Sequence, residues 1–182
     1  MEVYKVEATI SPLGGVDVPD PAPVRGPEET LALRPQVILV VDDEEDIRDS
    51  VKELLEASLP DVQVRTAEWG PSALKILRSE TIDLIMTDYK MPAMNGLEFL
   101  AEARGVVANV PRILMTAFPD LELAIRAVNE EHIENFLTKP LDAPSVVDMV
   151  AAILKERRAE ELRTRAFARS IDALKRSKER PT

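Results

Sequence analysis

Short apolar runs alternate with amphipathic segments from residue 36 onward, and this alternation limits the folds that the chain can adopt. The runs are QVILVV (36–41), VQVRT (62–66), IDLIMT (82–87), RILMT (112–116) and NFLT (135–138). The first of them is β-branched and continuous, as a strand covered on both faces should be. We therefore interpret the five runs as strands of one sheet.

The segments between the runs carry apolar residues at helical spacing. The helical signals are Ile47, Val51, Leu54 and Leu55; Pro71 followed by Ala73, Leu74 and Leu77; GLEFLAEAR (96–104); residues 120–130; and Val146, Val147, Val150 and Leu154. Because crossovers between parallel strands are almost always right-handed, strands alternating with helices predict a three-layer α/β fold with a parallel sheet.

Composition divides the chain into three parts. Residues 1–35 contain six of the 14 prolines and three of the six glycines, which predicts a flexible extension. Residues 36–154 form the predicted domain. Residues 155–182 hold 10 Lys/Arg and 5 Asp/Glu, so this tail carries +5 while residues 1–154 carry −15. An acidic body argues against a nucleic-acid surface, since phosphate backbones bind cationic proteins.

Composition also limits the chemistry and the compartment. The chain has no cysteine, which excludes disulfides and thiolate metal sites. The longest apolar runs, such as Val37–Val41, are far shorter than a membrane span, and the acidic start MEVYKVEATIS does not resemble an export signal. We expect a cytoplasmic protein that does not enter a membrane.

Polar residues follow four of the predicted strands. Asp42 and Asp43 follow the first, Asp88 the third, Thr116 the fourth and Lys139 the fifth. Each one alone could cap a helix or lie in solvent. Together they indicate a site, because parallel sheets bind ligands at the carboxyl ends of their strands.

This set of side chains suits phosphoryl chemistry. Three neighbouring carboxylates repel one another, and a magnesium ion relieves the repulsion. An ammonium and a hydroxyl can bind phosphoryl oxygens, and a carboxylate can accept the phosphoryl group as an acyl phosphate. The sequence therefore predicts an aspartate that is phosphorylated in the presence of Mg²⁺.

The motifs VVDDEEDIR, TDYKMPAMNG, LMTA and FLTKP, in this order and spacing, resemble those of the receiver domain of two-component response regulators. The resemblance covers about residues 36–154 and implies a flavodoxin-like (βα)5 sheet with strand order 2-1-3-4-5. It implies these roles: Asp88 as phosphoacceptor, Asp43 as direct Mg²⁺ ligand, Asp42 as ligand through water, the backbone carbonyl of Tyr89 as a further ligand, Thr116 and Lys139 as phosphoryl-binding groups, and Pro140 after a cis peptide bond.

The same resemblance assigns roles to the neighbours of the site. Phe136 matches the aromatic residue that, with Thr116, couples phosphorylation to a protein-interaction surface. Lys90 and Phe118 lie at two positions where the residue type varies within the family and determines the lifetime of the phosphate. Asn95 is expected to cap the next helix and Gly96 to shape the loop. The single histidine, His132, is not expected to donate phosphate.

The leading functional interpretation is a stand-alone, chemotaxis-regulator-like signalling module. It would be phosphorylated by a sensor histidine kinase or phosphotransfer protein, and it would be an enzyme only in speeding its own phosphorylation and dephosphorylation. One alternative is a nucleic-acid-binding regulator that uses the basic tail. Another is a phosphatase with an aspartyl-phosphate, which ranks last because the second acid it needs is replaced by Lys90.

The tail is predicted to continue the last helix, since residues 155–180 contain no glycine or proline. Thr164, Phe167, Ile171 and Leu174 form a narrow apolar seam of the coiled-coil type. Three interpretations remain: a solvated helix without a role, nucleic-acid binding, or a homodimer formed by the seam together with the 119–154 face.

Overall fold

The structure, a computed structural model, describes residues 34–117, 133 and 135–178, with the side chains of the last helix described as far as residue 171. Several predictions lie outside this part of the chain. They are nearly all of the flexible extension over residues 1–35, the helix over 120–130, and the roles of Phe118 and His132.

A five-stranded parallel sheet forms the centre of the domain. The strands are β1 (Gln36–Val41), β2 (Val62–Ala67), β3 (Leu84–Asp88), β4 (Arg112–Thr116) and β5 (Asn135–Thr138). Their order in the sheet is β2-β1-β3-β4-β5, and each neighbouring pair is parallel. The predicted fold class and strand order are therefore confirmed.

Helices cover both faces of this sheet. The described helices are α1 (Glu45–Ser58), α2 (Gly70–Ser79), α3 (Gly96–Val106) and the C-terminal helix (Ala143–Lys178). Buried side chains of α1 and the C-terminal helix share one core cluster, and those of α2 and α3 share the other. The sheet thus separates two cores.

The continuous apolar run of β1 serves both cores. Ile38 and Val40 belong to one cluster, Leu39 and Val41 to the other, and all four are 0% exposed. Successive strand residues point to opposite faces, so a strand between two cores needs apolar residues at every position. Each such side chain contributes roughly 1.5–3 kcal/mol of burial free energy.

Strand β3 begins at Leu84, two residues later than predicted, because the side chain of Asp83 takes part in the strand pairing. The Asp83 amide donates to the Val37 carbonyl at 2.7 Å, but its carboxylate accepts the Val37 amide at 2.8 Å, where a ladder would use a backbone carbonyl. The guanidinium of Arg34 binds both oxygens of the same carboxylate, at 2.7 and 2.8 Å. This bidentate pair neutralises a carboxylate that is only 2% exposed.

The C-terminal helix continues past the core, as predicted for the tail. Near the start of β1, the Gln36 side-chain Nε2 donates to the Leu154 carbonyl at 3.0 Å and the Arg158 guanidinium to the Arg34 carbonyl at 3.1 Å. Residues 155–178 extend the helix by about 36 Å at its ordinary rise. In the described part of the chain, no helix combines the length and apolar character needed to cross a bilayer.

Candidate functional site

The carboxyl ends of β1, β3 and β4 bring the predicted site residues together. Asp42 follows β1 and is 0% exposed, while Asp88 ends β3 and Thr116 ends β4, at 5% and 3% exposed. The strand order makes β3 the neighbour of both β1 and β4, with Asp88 in register with Met115. Asp43 is exposed beside them.

Lys139 joins the acidic residues of different strands. Its ammonium nitrogen Nζ lies 2.8 Å from Asp42 Oδ2, 2.7 Å from Asp88 Oδ1 and 3.6 Å from Glu44 Oε1. The Lys139 amide donates to the Thr116 carbonyl at 2.9 Å, and the peptide bond between Lys139 and Pro140 is cis. One cation is therefore shared by three carboxylates.

The environment of this ion pair changes the pKa values of its members. Burial raises the pKa of the Asp42 carboxyl, and the hydrogen bond from Lys139 opposes this only in part. Burial also acts to lower the pKa of Lys139, but the hydrogen bonds to Asp42 and Asp88 outweigh it and raise the pKa of the ammonium. Lys139 therefore carries its charge at neutral pH.

The loop after β3 holds Asp88 from the opposite side. Asp88 Oδ2 accepts the Lys90 amide at 2.6 Å. At Gly96, a Cβ would collide with the backbone carbonyl oxygen of Asp88, so the loop can close only with glycine at this position. Asn95 caps α3 as predicted, because its side chain accepts the Glu98 amide at 3.1 Å.

An open cleft of about 230 Å³ lies above these side chains. Its lining residues are Asp43, Glu44, Asp88, Lys90, Thr116, Ala117 and Lys139. Residues with carboxylate, hydroxyl and ammonium side chains thus line the same space. The cleft has the groups needed to bind a phosphoryl group beside a carboxylate nucleophile.

The donor set fits a magnesium ion in part. Magnesium commonly uses one or two carboxylates and keeps several waters, and Asp43 and Asp88 both line the cleft. The oxygens of Asp42 already accept from the Glu44 amide and from Lys139. Among the residues described, no three acidic or histidine side chains are grouped closely enough to hold a metal by themselves.

The backbone carbonyl of Tyr89 is predicted to be a further metal ligand. It accepts the Gly96 amide at 2.8 Å, and the residues that line the cleft include Lys90 but not Tyr89. The loop closure at Gly96 thus uses the Tyr89 carbonyl as a hydrogen-bond acceptor.

Of the two aromatic residues predicted beside the site, the structure describes Phe136 but not Phe118. Phe136 lies in β5, is partly buried and packs against the core cluster that α2 and α3 share. Phe118, together with residues 119–132 and 134 of the 119–154 face, lies outside the described residues. The exposed seam of the C-terminal helix includes Phe167 and Ile171, which are 69% and 37% exposed.

Glu44 lines the cleft but is not among the site residues that the sequence predicts. Its signal in the sequence is an acid directly after the pair Asp42–Asp43, at the start of α1. Acids are common in the first turn of helices, so the sequence alone did not separate Glu44 from Glu45 and Asp46.

Comparison with known proteins is consistent across sequence and structure. The family model described as response regulator receiver domain matches residues 38–151. The response regulator protein PilR of Pseudomonas aeruginosa is 35% identical over 127 residues, covering 69% of this chain and 27% of PilR. The DNA-binding transcriptional regulator NtrC of Escherichia coli is 32% identical over 114 residues, covering 63% of this chain and 24% of NtrC. The chain therefore spans about a quarter of these relatives.

A solved structure shows the same similarity. The signal receiver domain of an HD domain-containing protein from Pseudomonas fluorescens has a TM-score of 0.65 and 32% identity, covering 69% of this chain and 99% of that one.

Proposed function

The chain belongs to the response regulator receiver domain family, and on this premise we propose that it is a phosphorylation-dependent signalling module whose phosphoacceptor is Asp88. The observation that carries the proposal is the shared position of Asp88, Asp43, Thr116 and Lys139 around one cleft. The module acts as an acceptor of phosphate rather than as an enzyme with an external substrate.

In the proposed reaction, a carboxylate oxygen of Asp88 attacks the phosphorus of a phosphohistidine on a partner protein. The new P–O bond forms as the P–N bond breaks, and the imidazole leaves and takes up a proton. Lys139 lies 2.7 Å from Asp88 and can turn one N–H toward the phosphoryl group while keeping its contact with Asp42. Thr116 supplies a hydroxyl donor from the next strand.

We propose that Asp43 and Asp88 hold the Mg²⁺ ion, with Asp42 contributing through water. The ion, when bound, neutralises charge that develops on the phosphoryl oxygens. Since the Tyr89 carbonyl is occupied by the Gly96 amide and Lys90 lines the cleft, the backbone carbonyl of Lys90 is the better candidate for a protein ligand from this loop.

The test of the phosphoacceptor is labelling with acetyl phosphate and Mg²⁺, read as an acid-stable, base-labile phosphoryl adduct by intact mass. Asp88→Asn should abolish the adduct. Asp61→Asn is the matched control, because Asp61 is an exposed carboxylate just before β2, at the opposite edge of the sheet. Equal labelling of the Asp88→Asn variant and the native chain would show that Asp88 is not the phosphoacceptor.

We further propose that Thr116 and Phe136 couple the site to the 119–154 surface. Amide chemical shifts on adding beryllofluoride should then change through residues 119–154. Thr116→Ala should reduce these distant changes, whereas Thr138→Ala should not, since Thr138 pairs with Thr116 in register but is exposed. Changes limited to the cleft in the native protein would contradict the coupling.

The proposed phosphate donor is a sensor histidine kinase or phosphotransfer protein, and the proposed output is protein contact. The exposed Phe167 favours self-association along the C-terminal helix, because an apolar side chain that is 69% exposed gains by burial. Sedimentation of the full chain with and without beryllofluoride tests this. Phe167→Glu should lower the fraction of dimer, while Ser170→Glu should change it little.

Nucleic-acid binding by the C-terminal helix is the second candidate, because ten of the residues over 155–182 are basic. Five acids interrupt that patch, so we rank it below protein contact. A gel-shift assay at moderate salt distinguishes the two functions. Binding that survives the Phe167→Glu variant but falls steeply with salt would favour nucleic acid.

A further inference from the structure

Glu44 occupies an unusual position for its residue type. It is the residue before the first turn of α1, where Ser, Thr, Asp and Asn are preferred because their short side chains bond to the helix amides. The Glu44 side chain makes no such bond. Its carboxylate instead lines the cleft, 3.6 Å from Lys139 Nζ, with the side chain 66% exposed.

This position puts a negative charge beside the place where phosphate must enter. Glu44 Oε1 and Asp88 Oδ1 lie 3.6 and 2.7 Å from the same nitrogen, so the two carboxylates are at most about 6.3 Å apart. Asp88 is buried at the base of the cleft, whereas Glu44 is exposed at its rim. A phosphoryl donor that approaches Asp88 therefore passes close to the Glu44 carboxylate.

The charge balance of the site shows what Glu44 changes. Before Mg²⁺ binds, the acids Asp42, Asp43, Glu44 and Asp88 and the basic residues Lys90 and Lys139 give the site a net charge of −2. Without Glu44 the net charge would be −1. The proposed reaction assigns a role to Asp42, Asp43 and Asp88 but none to Glu44.

We propose that Glu44 is a specificity-determining residue that disfavours small, highly charged phosphodonors. This inference rests on the proposed function of Asp88. Repulsion acts in full on a free anion, because it has no protein interface that could offset the repulsion. A protein donor is held by an interface of hundreds of Å², in which one rim charge contributes little. Glu44 thus favours phosphate from a docked protein over phosphate from free metabolites.

The size of the effect follows from Coulomb's law. At about 6 Å in water, with screening at physiological ionic strength, removing one negative charge should speed the reaction of a dianion about threefold. The same change should speed the reaction of a monoanion less than about twofold. Both effects should shrink at high salt, because the rim of the cleft is exposed to solvent.

The experiment compares two donors that differ in charge. Acetyl phosphate is a dianion at neutral pH, and phosphoramidate carries a net charge of −1. The rate of adduct formation is measured with each donor for the native chain, Glu44→Gln and Glu44→Lys, at low and high salt. Glu45→Gln and Glu45→Lys are the matched controls, since Glu45 is the adjacent exposed acid in the first turn of α1 and does not line the cleft.

The expected result is a graded rise in rate with acetyl phosphate, from native to Gln to Lys at position 44. The rise should be smaller with phosphoramidate and weaker at high salt, and the position 45 variants should match the native chain. Equal rises with both donors, or equal effects at positions 44 and 45, would overturn the role of Glu44. If neither donor labels the native chain, the proposed function itself is refuted, and the role of Glu44 with it.

Discussion

Replacing Lys139 with methionine tests whether the shared ammonium holds the site together. The substitution keeps most of the aliphatic stem and removes the cation that lies 2.8 Å from Asp42 and 2.7 Å from Asp88. Asp42 is 0% exposed, so its carboxylate would remain buried without this partner. Breaking a buried ion pair from one side typically costs about 3–5 kcal/mol.

We expect a loss at the lower end of this range, about 3 kcal/mol, because Asp88 lines the open cleft and can regain water. The assay is urea unfolding followed by circular dichroism, in EDTA so that no divalent cation replaces the missing charge. Asp42→Asn added to Lys139→Met should restore part of the stability. Lys75→Met, at an exposed position of α2, should change it by less than about 0.5 kcal/mol.

The pH dependence gives an independent check on the same variant. Burial already raises the pKa of Asp42 above its ordinary value of 3.8, and loss of the ammonium should raise it further. A group whose folded-state pKa is raised binds its proton more readily in the folded state. The stability deficit of the variant should therefore be smallest below pH 3.8 and grow toward neutral pH. A deficit below about 1 kcal/mol at neutral pH, or one that does not depend on pH, would refute the reasoning.

Three further predictions concern the loop, the metal and the C-terminal helix. Gly96→Ala should destabilise the fold by roughly 1–3 kcal/mol and slow phosphorylation, because the new Cβ collides with the Asp88 carbonyl; urea unfolding and adduct formation measure the two effects. Asp43→Asn should weaken Mg²⁺ binding in calorimetry more than Asp42→Asn, and equal effects would contradict the assigned roles. The pKa of Asp142 is lowered by hydrogen bonds from Ser145, so Asp142→Ala should lower the melting temperature at neutral pH. The difference from the native chain should disappear as the pH falls through the lowered pKa, because only the ionised carboxylate contributes.

The pattern of local residues was enough to predict most of the fold. Five apolar runs and the helical stripes between them specify a layered α/β fold, because the periods of strand and helix are properties of consecutive residues. The polar residues Asp42, Asp88, Thr116 and Lys139 could be assigned to one edge for the same reason, since all of them follow strands that run in parallel.

Other features depend on contacts between distant parts of the chain. Lys139 meets Asp42 across 97 positions, and Arg34 meets Asp83 across 49. Spacing along the sequence contains no information on such distances, which depend on strand register and on the reach of each side chain. The late start of β3 belongs to this class, because Asp83 uses its side chain where a backbone acceptor was expected.

The sequence by itself determined the elements, their layers and the kinds of chemical group at the active edge. Only the tertiary structure decided how those groups share their partners: the ammonium of Lys139 among three carboxylates, the carbonyl of Tyr89 with Gly96, and the carboxylate of Glu44 with the cleft. The physical reason is competition. Several donors and acceptors lie within reach of one another, and the folded backbone selects which of them pair.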